Sequence, residues 1–203
     1  MITITKENVQ KALPRMININ KIGGEENAKN IQWANVTELD FLIVFYIRDE
    51  ELECPHIIYK SELSEIGMTE EELYEIAKEN LKKKVKLDTL PNILTGMLLL
   101  PKGCDVPEES VTNNMIVVTT QDMLYGAPVI LLDEVLEDVS KRLGEDKFIV
   151  LPSSVHEVIC VPMDNVSELR NIVKDINRNV VSDSEFLSDN IYIYEGNGIL
   201  NIA

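Results

Sequence analysis

The stretch Asp40-Phe41-Leu42-Ile43-Val44-Phe45-Tyr46-Ile47-Arg48 decides the fold. Seven consecutive apolar residues, β-branched and aromatic among them, lie between charged ends. Such a run reads as a strand covered on both faces, because alternation is lost when neither face meets water. It is far too short for the ~20 residues that a membrane-spanning helix needs. A central sheet strand is therefore expected. Downstream, a loop from Asp49 to Pro55 leads to Ile57-Ile58-Tyr59, which should return beside it as a hairpin. Upstream, residues 5–17 read as an opening helix and Lys21 to Asn30, with Gly23-Gly24, as a polar loop.

Thr69-Glu70-Glu71-Glu72 spells a capping box, in which the Thr69 hydroxyl accepts the Glu72 amide while the Glu72 carboxylate reaches back to the Thr69 amide. The helix should run to about Lys83, with Leu73, Ile76, Ala77 and Leu81 as its apolar stripe. Its acids come early and Lys82-Lys83-Lys84 late, as the helix dipole favours, so the lysines read as a helix end and not as an anion site. A short turn at residues 61–66 precedes it, ended by Gly67. Residues 90–100 are apolar and open to either helix or strand.

Beyond them the pattern gives strand 115–119, strand Val129 to Leu132, helix Asp133 to Leu143 closed by Gly144, and strands 147–151 and 156–161. A helix from Val166 to Val180 follows, striped by Leu169, Ile172, Val173 and Ile176. A terminal hairpin joins 191–194 to 199–202 around Gly196-Asn197-Gly198. Strands mixed with helices and several hairpins predict an α+β fold, with a mixed, mainly antiparallel sheet and several packed helices. One domain over 1–203 is expected, with room for a subdomain division near 101–114.

The 203 residues carry 35 Asp+Glu against 19 Lys+Arg, a formal charge of −16. That balance repels phosphate backbones and anionic membrane surfaces, so neither direct nucleic-acid binding nor membrane binding is expected. A basic protein partner suits it better. Cys54, Cys104 and Cys160 are an odd, widely spaced set without a C-x-x-C pair, which argues against a disulfide framework and a zinc knuckle. Cys54-Pro55-His56 lacks companions to complete a metal site. No metal or cofactor is expected, and the location expected is cytoplasmic.

Chemistry concentrates in Leu151-Pro152-Ser153-Ser154-Val155-His156-Glu157-Val158, where hydroxyls, an imidazole and a carboxylate fall within five positions. Ser153, Ser154 and His156 are the candidate catalytic residues. A nucleophile needs its base within hydrogen-bond reach and a third group to orient that base. On a strand starting at Val155, however, His156 and Glu157 point to opposite faces. Tyr125-Gly126-Ala127-Pro128, between two strands, supplies the candidate ligand-binding residues Tyr125 and Gly126. Phosphate-loop and nucleophile-elbow motifs are absent.

Four stretches together resemble a bacterial family defined as a domain of unknown function, met mostly in Gram-positive anaerobes. They are Phe41-Leu42-Ile43-Val44-Phe45, Gly67-Met68-Thr69-Glu70-Glu71-Glu72-Leu73-Tyr74, Val118-Thr119 with Tyr125-Gly126-Ala127, and Leu151-Pro152-Ser153-Ser154-x-His156-Glu157-Val158. The resemblance implies an α+β fold in a cytoplasmic bacterial protein and brings no catalytic residues with it. It also implies that members usually carry an N-terminal segment without a counterpart here, as a short or trimmed member would lack.

The leading expectation is a non-catalytic protein-interaction or ligand-binding domain, since acidity and exposed β edges offer contacts while no catalytic set is complete. One alternative is a hydrolase-like enzyme using Ser153 or Ser154 with His156. Another is an acidic decoy that mimics nucleic acid.

Overall fold

The structure is a computed structural model that describes residues 4–18, 30–31, 33–34, 39–48, 55–90, 114–164, 166–196 and 200–203. The Gly23-Gly24 loop, Cys54, Cys104, the apolar segment 91–100 and nearly all of the division expected near 101–114 lie outside the described residues. Helices accompany two antiparallel sheets, as an α+β fold requires.

β3 (Phe41–Ile47) is the centre of the smaller sheet, and all seven of its residues are buried. β1 (Leu13–Asn18) pairs along one edge in the register Leu13↔Tyr46 to Asn18↔Phe41. β2 (Trp33–Ala34) and β4 (His56–Ile57) share the other edge. The hairpin return is there, and the Ile58 amide carries it one step further by donating to the Phe45 carbonyl at 2.9 Å.

The opening helix is shorter than the sequence implied. α1 spans only Lys6–Val9, started by a Thr5 and Asn8 capping pair. Pro14, which would break a helix interior, instead sits in β1, at the sheet's edge, where a missing N–H is tolerated.

α2 (Lys60–Glu65) follows β4, and Gly67 leaves it at φ +62°. α3 (Glu70–Lys82) begins as its capping box dictates: the Thr69 amide donates to Glu72 at 2.8 Å and the Glu72 amide to the Thr69 hydroxyl at 3.2 Å. It buries Leu73, Ala77 and Leu81 and packs on β1. The Asn80 side-chain amide donates to the Gln10 and Ala12 carbonyls, which pins α3 to the turn before that strand.

The lysines that close α3 lead directly into β5 (Val85–Thr89), a strand the sequence reading did not assign. β5 ends the larger sheet, whose order is β10-β9-β7-β8-β6-β5. Its other members are β6 (Ile116–Thr120), β7 (Phe148–Leu151), β8 (Val158–Pro162), β9 (Tyr192–Tyr194) and β10 (Leu200–Ile202). Along β7 and β8 the side chains alternate. Phe148, Val150, Val158 and Cys160 face a core shared with β3 and α3, while Ile149 and Val161 face away from it.

The strand expected at Val129 to Leu132 is a 3-10 turn, Ala127–Leu131, because Pro128 presets its φ and has no N–H for a ladder. It feeds α4 (Asp133–Leu143), which stops at Gly144 in the left-handed conformation, φ +71°.

α5 (Val166–Asn179) covers the outer face of the larger sheet through Val173, with Val166 and Leu169 beside it. Two members of its expected stripe are not buried: Ile172 and Ile176 are 46% and 45% exposed. A helix that lies on one sheet, with no further element packed on its flank among the described residues, buries a narrower face than its apolar period marks out. No helix among the described residues is long and apolar enough to cross a membrane.

Candidate functional site

Three of the five residues singled out by the sequence converge. β6 ends at Thr120, and the chain then turns twice through left-handed backbone, at Met123 (φ 54°) and Tyr125 (φ 51°). Such a conformation costs a side-chain-bearing residue about 1–2 kcal/mol, so something must hold it. At Tyr125 the holder is His156. The Tyr125 amide donates to His156 Nδ1 at 3.1 Å, and the two rings stack at 5.3 Å with 17° between their planes.

Gly126 follows at an ordinary φ, and its freedom is of another kind. A Cβ there would stand 2.5 Å from Thr119 Oγ1 and 2.6 Å from both the His156 carbonyl and the Thr120 amide. Two of these are backbone atoms and cannot step aside. Only glycine lets the Gly126 amide reach the His156 carbonyl at 2.9 Å, which also accepts the Thr119 hydroxyl at 2.8 Å.

His156 does not sit on a strand, since β8 starts at Val158 and residues 152–157 form a turn. That turn is built by Ser154. Its hydroxyl donates to Glu157 Oε1 at 2.9 Å and accepts the His156 amide at 3.0 Å. The serine hydroxyl is thus committed to the carboxylate. The imidazole uses its Nδ1 lone pair on Tyr125, so its proton resides on Nε2, which faces Glu185 Oε1 at 3.7 Å. Among the described residues no hydrogen bond joins Ser153 or Ser154 to the ring.

The other face of Tyr125 carries a residue that the sequence reading passed over. The Arg15 guanidinium, from β1, lies 4.1 Å from the ring centroid, a cation–π contact, and Tyr46 meets the same ring edge-on at 5.3 Å. Arg15, Tyr125 and His156 therefore form a stack, backed by Glu185. Burial pushes the Tyr46 hydroxyl up from its ordinary range, helped by the Asp122 carboxylate and by Tyr125.

Asp122 itself is pulled both ways. Burial favours its protonated form, but the Thr120 hydroxyl, Lys84 and neighbouring amides outweigh this and hold the carboxyl below its usual range. Arg48 at 3.5 Å and Lys84 at 3.7 Å complete its surroundings.

Beside the stack lies a cleft of about 490 Å³, lined by Arg15, Ile17, Asn18, Val155, Asp183, Ser184 and Phe186. Its two sides are tied together. The Asn18 side chain donates to the Leu187 carbonyl at 2.7 Å, and the Val155 amide donates to the Glu185 carbonyl at 2.9 Å. Arg15 Nε is buried and has no acceptor among the described residues. A buried N–H without a partner costs about 1–3 kcal/mol.

Tyr125, Gly126 and His156, with the Ser154 turn, thus stand behind the opening, while Arg15 and the segment around Ser184 and Phe186 border it; Ser153 lies in the same turn without joining the stack. The missed signal was Pro14, which should have ended the opening helix and left Leu13-Pro14-Arg15-Met16-Ile17 as an alternating edge strand.

Elsewhere, His56 Nε2 lies 2.9 and 3.0 Å from the two Glu62 oxygens, a pairing that braces the start of α2. No curated protein and no solved structure matches the sequence. A family described as one of unknown function, DUF5688, matches residues 8–196, which include all of the stack and the whole cleft lining. The chain belongs to that family.

Proposed function

We propose that this is a non-catalytic binding domain whose ligand enters the cleft between β1 and the Asp183–Phe186 segment. One observation carries the reading: a cationic side chain with an unpaired buried donor stands at the wall of an opening of ligand size, between roughly 300 and 1,000 Å³. The arrangement of Ser154 and His156 supports the non-catalytic part, because a hydroxyl bonded to a carboxylate and an imidazole whose Nδ1 is already engaged do not make a nucleophile and its base.

Amide chemical-shift mapping with a mixed library of neutral, cationic and anionic fragments tests it. Shifts should cluster at residues 15–18, 155 and 183–186; clusters elsewhere would sink the reading. A serine-reactive fluorophosphonate should leave Ser153 and Ser154 unlabelled. Labelling that disappeared in His156→Ala would favour a hydrolase instead.

For a macromolecular partner, the charge of −16 supports a basic protein. Strand addition at β5 finds less support, because its edge is occupied: Arg142 donates to the Leu87 carbonyl at 3.4 Å and the Asp88 carboxylate accepts the Thr89 amide at 2.9 Å. Cys160, a free and fully buried thiol, is in keeping with a reducing setting such as the cytoplasm.

A further inference from the structure

The chemistry of the cleft selects among ligands. Arg15 is always charged and offers donors in a planar fork that matches a carboxylate. Its plane is set by the Tyr125 ring beneath it, which rests on His156, and its Nε finds no acceptor among the described residues. Nε itself is buried, so a ligand in the cleft meets the terminal Nη groups, and holding the fork by stacking removes much of the entropy that a free arginine loses on binding.

Ile17, Val155 and Phe186 supply apolar lining for the body of that ligand. Asp183, also in the lining, and Glu185 behind His156 set a limit on charge. Arg15 is the one cation among the described lining residues, so a ligand with a single negative charge suits the cleft better than one with two. Phosphate esters and dicarboxylates are disfavoured on that ground.

We propose that the cleft takes an organic monocarboxylate, its carboxylate on Arg15 and its apolar body against Ile17, Val155 and Phe186. This rests on reading the cleft as the binding site. The probes are phenylacetate and hexanoate, with phenylacetamide, hexanamide and phenyl phosphate as comparisons, titrated into the whole chain and followed by amide shifts. The acids should saturate, and the amides and phenyl phosphate should bind about tenfold more weakly or less, the loss expected for one charge-assisted contact.

Arg15→Met should lose the same factor for the acids and none for the amides, at an unchanged circular dichroism spectrum. Ser184→Trp, which fills the opening from the other side, should weaken both. Amides or phenyl phosphate binding as tightly as the acids, or acids binding undiminished to Arg15→Met, would overturn the carboxylate and leave the cleft standing as a site. If no probe shifts residues 15–18, 155 or 183–186, the carboxylate and the site fall together.

Discussion

Two polar clusters join the smaller sheet to the C-terminal third of the chain, and they are finished differently. At one, Asp40, just before β3, receives the Tyr192 hydroxyl, the Ser188 hydroxyl at 2.7 Å and the Asn190 side-chain amide at 3.2 Å, while the Asn190 amide donates to Ser188 at 2.9 Å. The carboxylate is matched by three donors and Ser188 is fully buried. Burial, with the Asp40 hydrogen bond second, pushes the Tyr192 hydroxyl up.

At the other cluster Arg15 presents an Nε–H that nothing described accepts, over a stack that includes a left-handed tyrosine and beside an open cleft. A satisfied polar network fixes a packing arrangement. One that leaves a donor over and stores backbone strain is spending stability on something outside itself.

The contrast can be broken by mutation. Asp40→Ala should have the largest effect, since three donors lose their acceptor at 1–3 kcal/mol each; we expect a loss of about 3 kcal/mol or more in urea unfolding. If it costs less than Arg15→Met, the two clusters have been assigned the wrong way round. Gly126→Ala comes next, at about 1–3 kcal/mol, because its Cβ would collide with fixed backbone; the same measurement reads it, and full stability would mean that the Tyr125 turn is looser than described.

Ser154→Ala should cost about 1 kcal/mol, the worth of its turn hydrogen bonds, and leave the cleft's shift pattern in place. Asp122→Asn should be smaller still and depend on pH. The folded carboxyl titrates lower than the unfolded one, so its contribution is present above the unfolded pKa, near 4, and fades as pH falls through the folded value. The difference in melting temperature between wild type and variant should therefore be larger at pH 7 than at pH 3. Arg15→Met should be smallest, under about 1 kcal/mol, since the cation–π contact it gives up is offset by removal of an unpaired buried donor.

Elements with a local signature were readable in advance. The uninterrupted apolar run made β3 central, the Thr69 and Glu72 pair started α3, and Gly144 stopped α4. What escaped depends on partners distant in sequence. β1 exists because β3 needs an edge partner, and residues 5–17 carry enough helix formers to hide it. β5 begins directly after lysines whose local pattern marks only a helix end.

The site divided along the same line. Tyr125 and Gly126 stand out from turn chemistry, and His156 from the hydroxyls and carboxylate beside it, although its place in a turn and not on a strand is visible only in the structure. Arg15 lies 110 positions from Tyr125. No window along the chain brings them together, and its role follows only from β1 being a strand.

The Asp40 cluster also bears on how the molecule comes into being. Its bonds span 148 to 152 positions. During synthesis β3 and its neighbours emerge long before Ser188, Asn190 and Tyr192 leave the ribosome. Until then the Asp40 carboxylate lacks these three donors, and the start of β3, which it precedes, lacks that part of its final surroundings. The nascent chain is thus expected to complete this cluster late, once the C-terminal third is available.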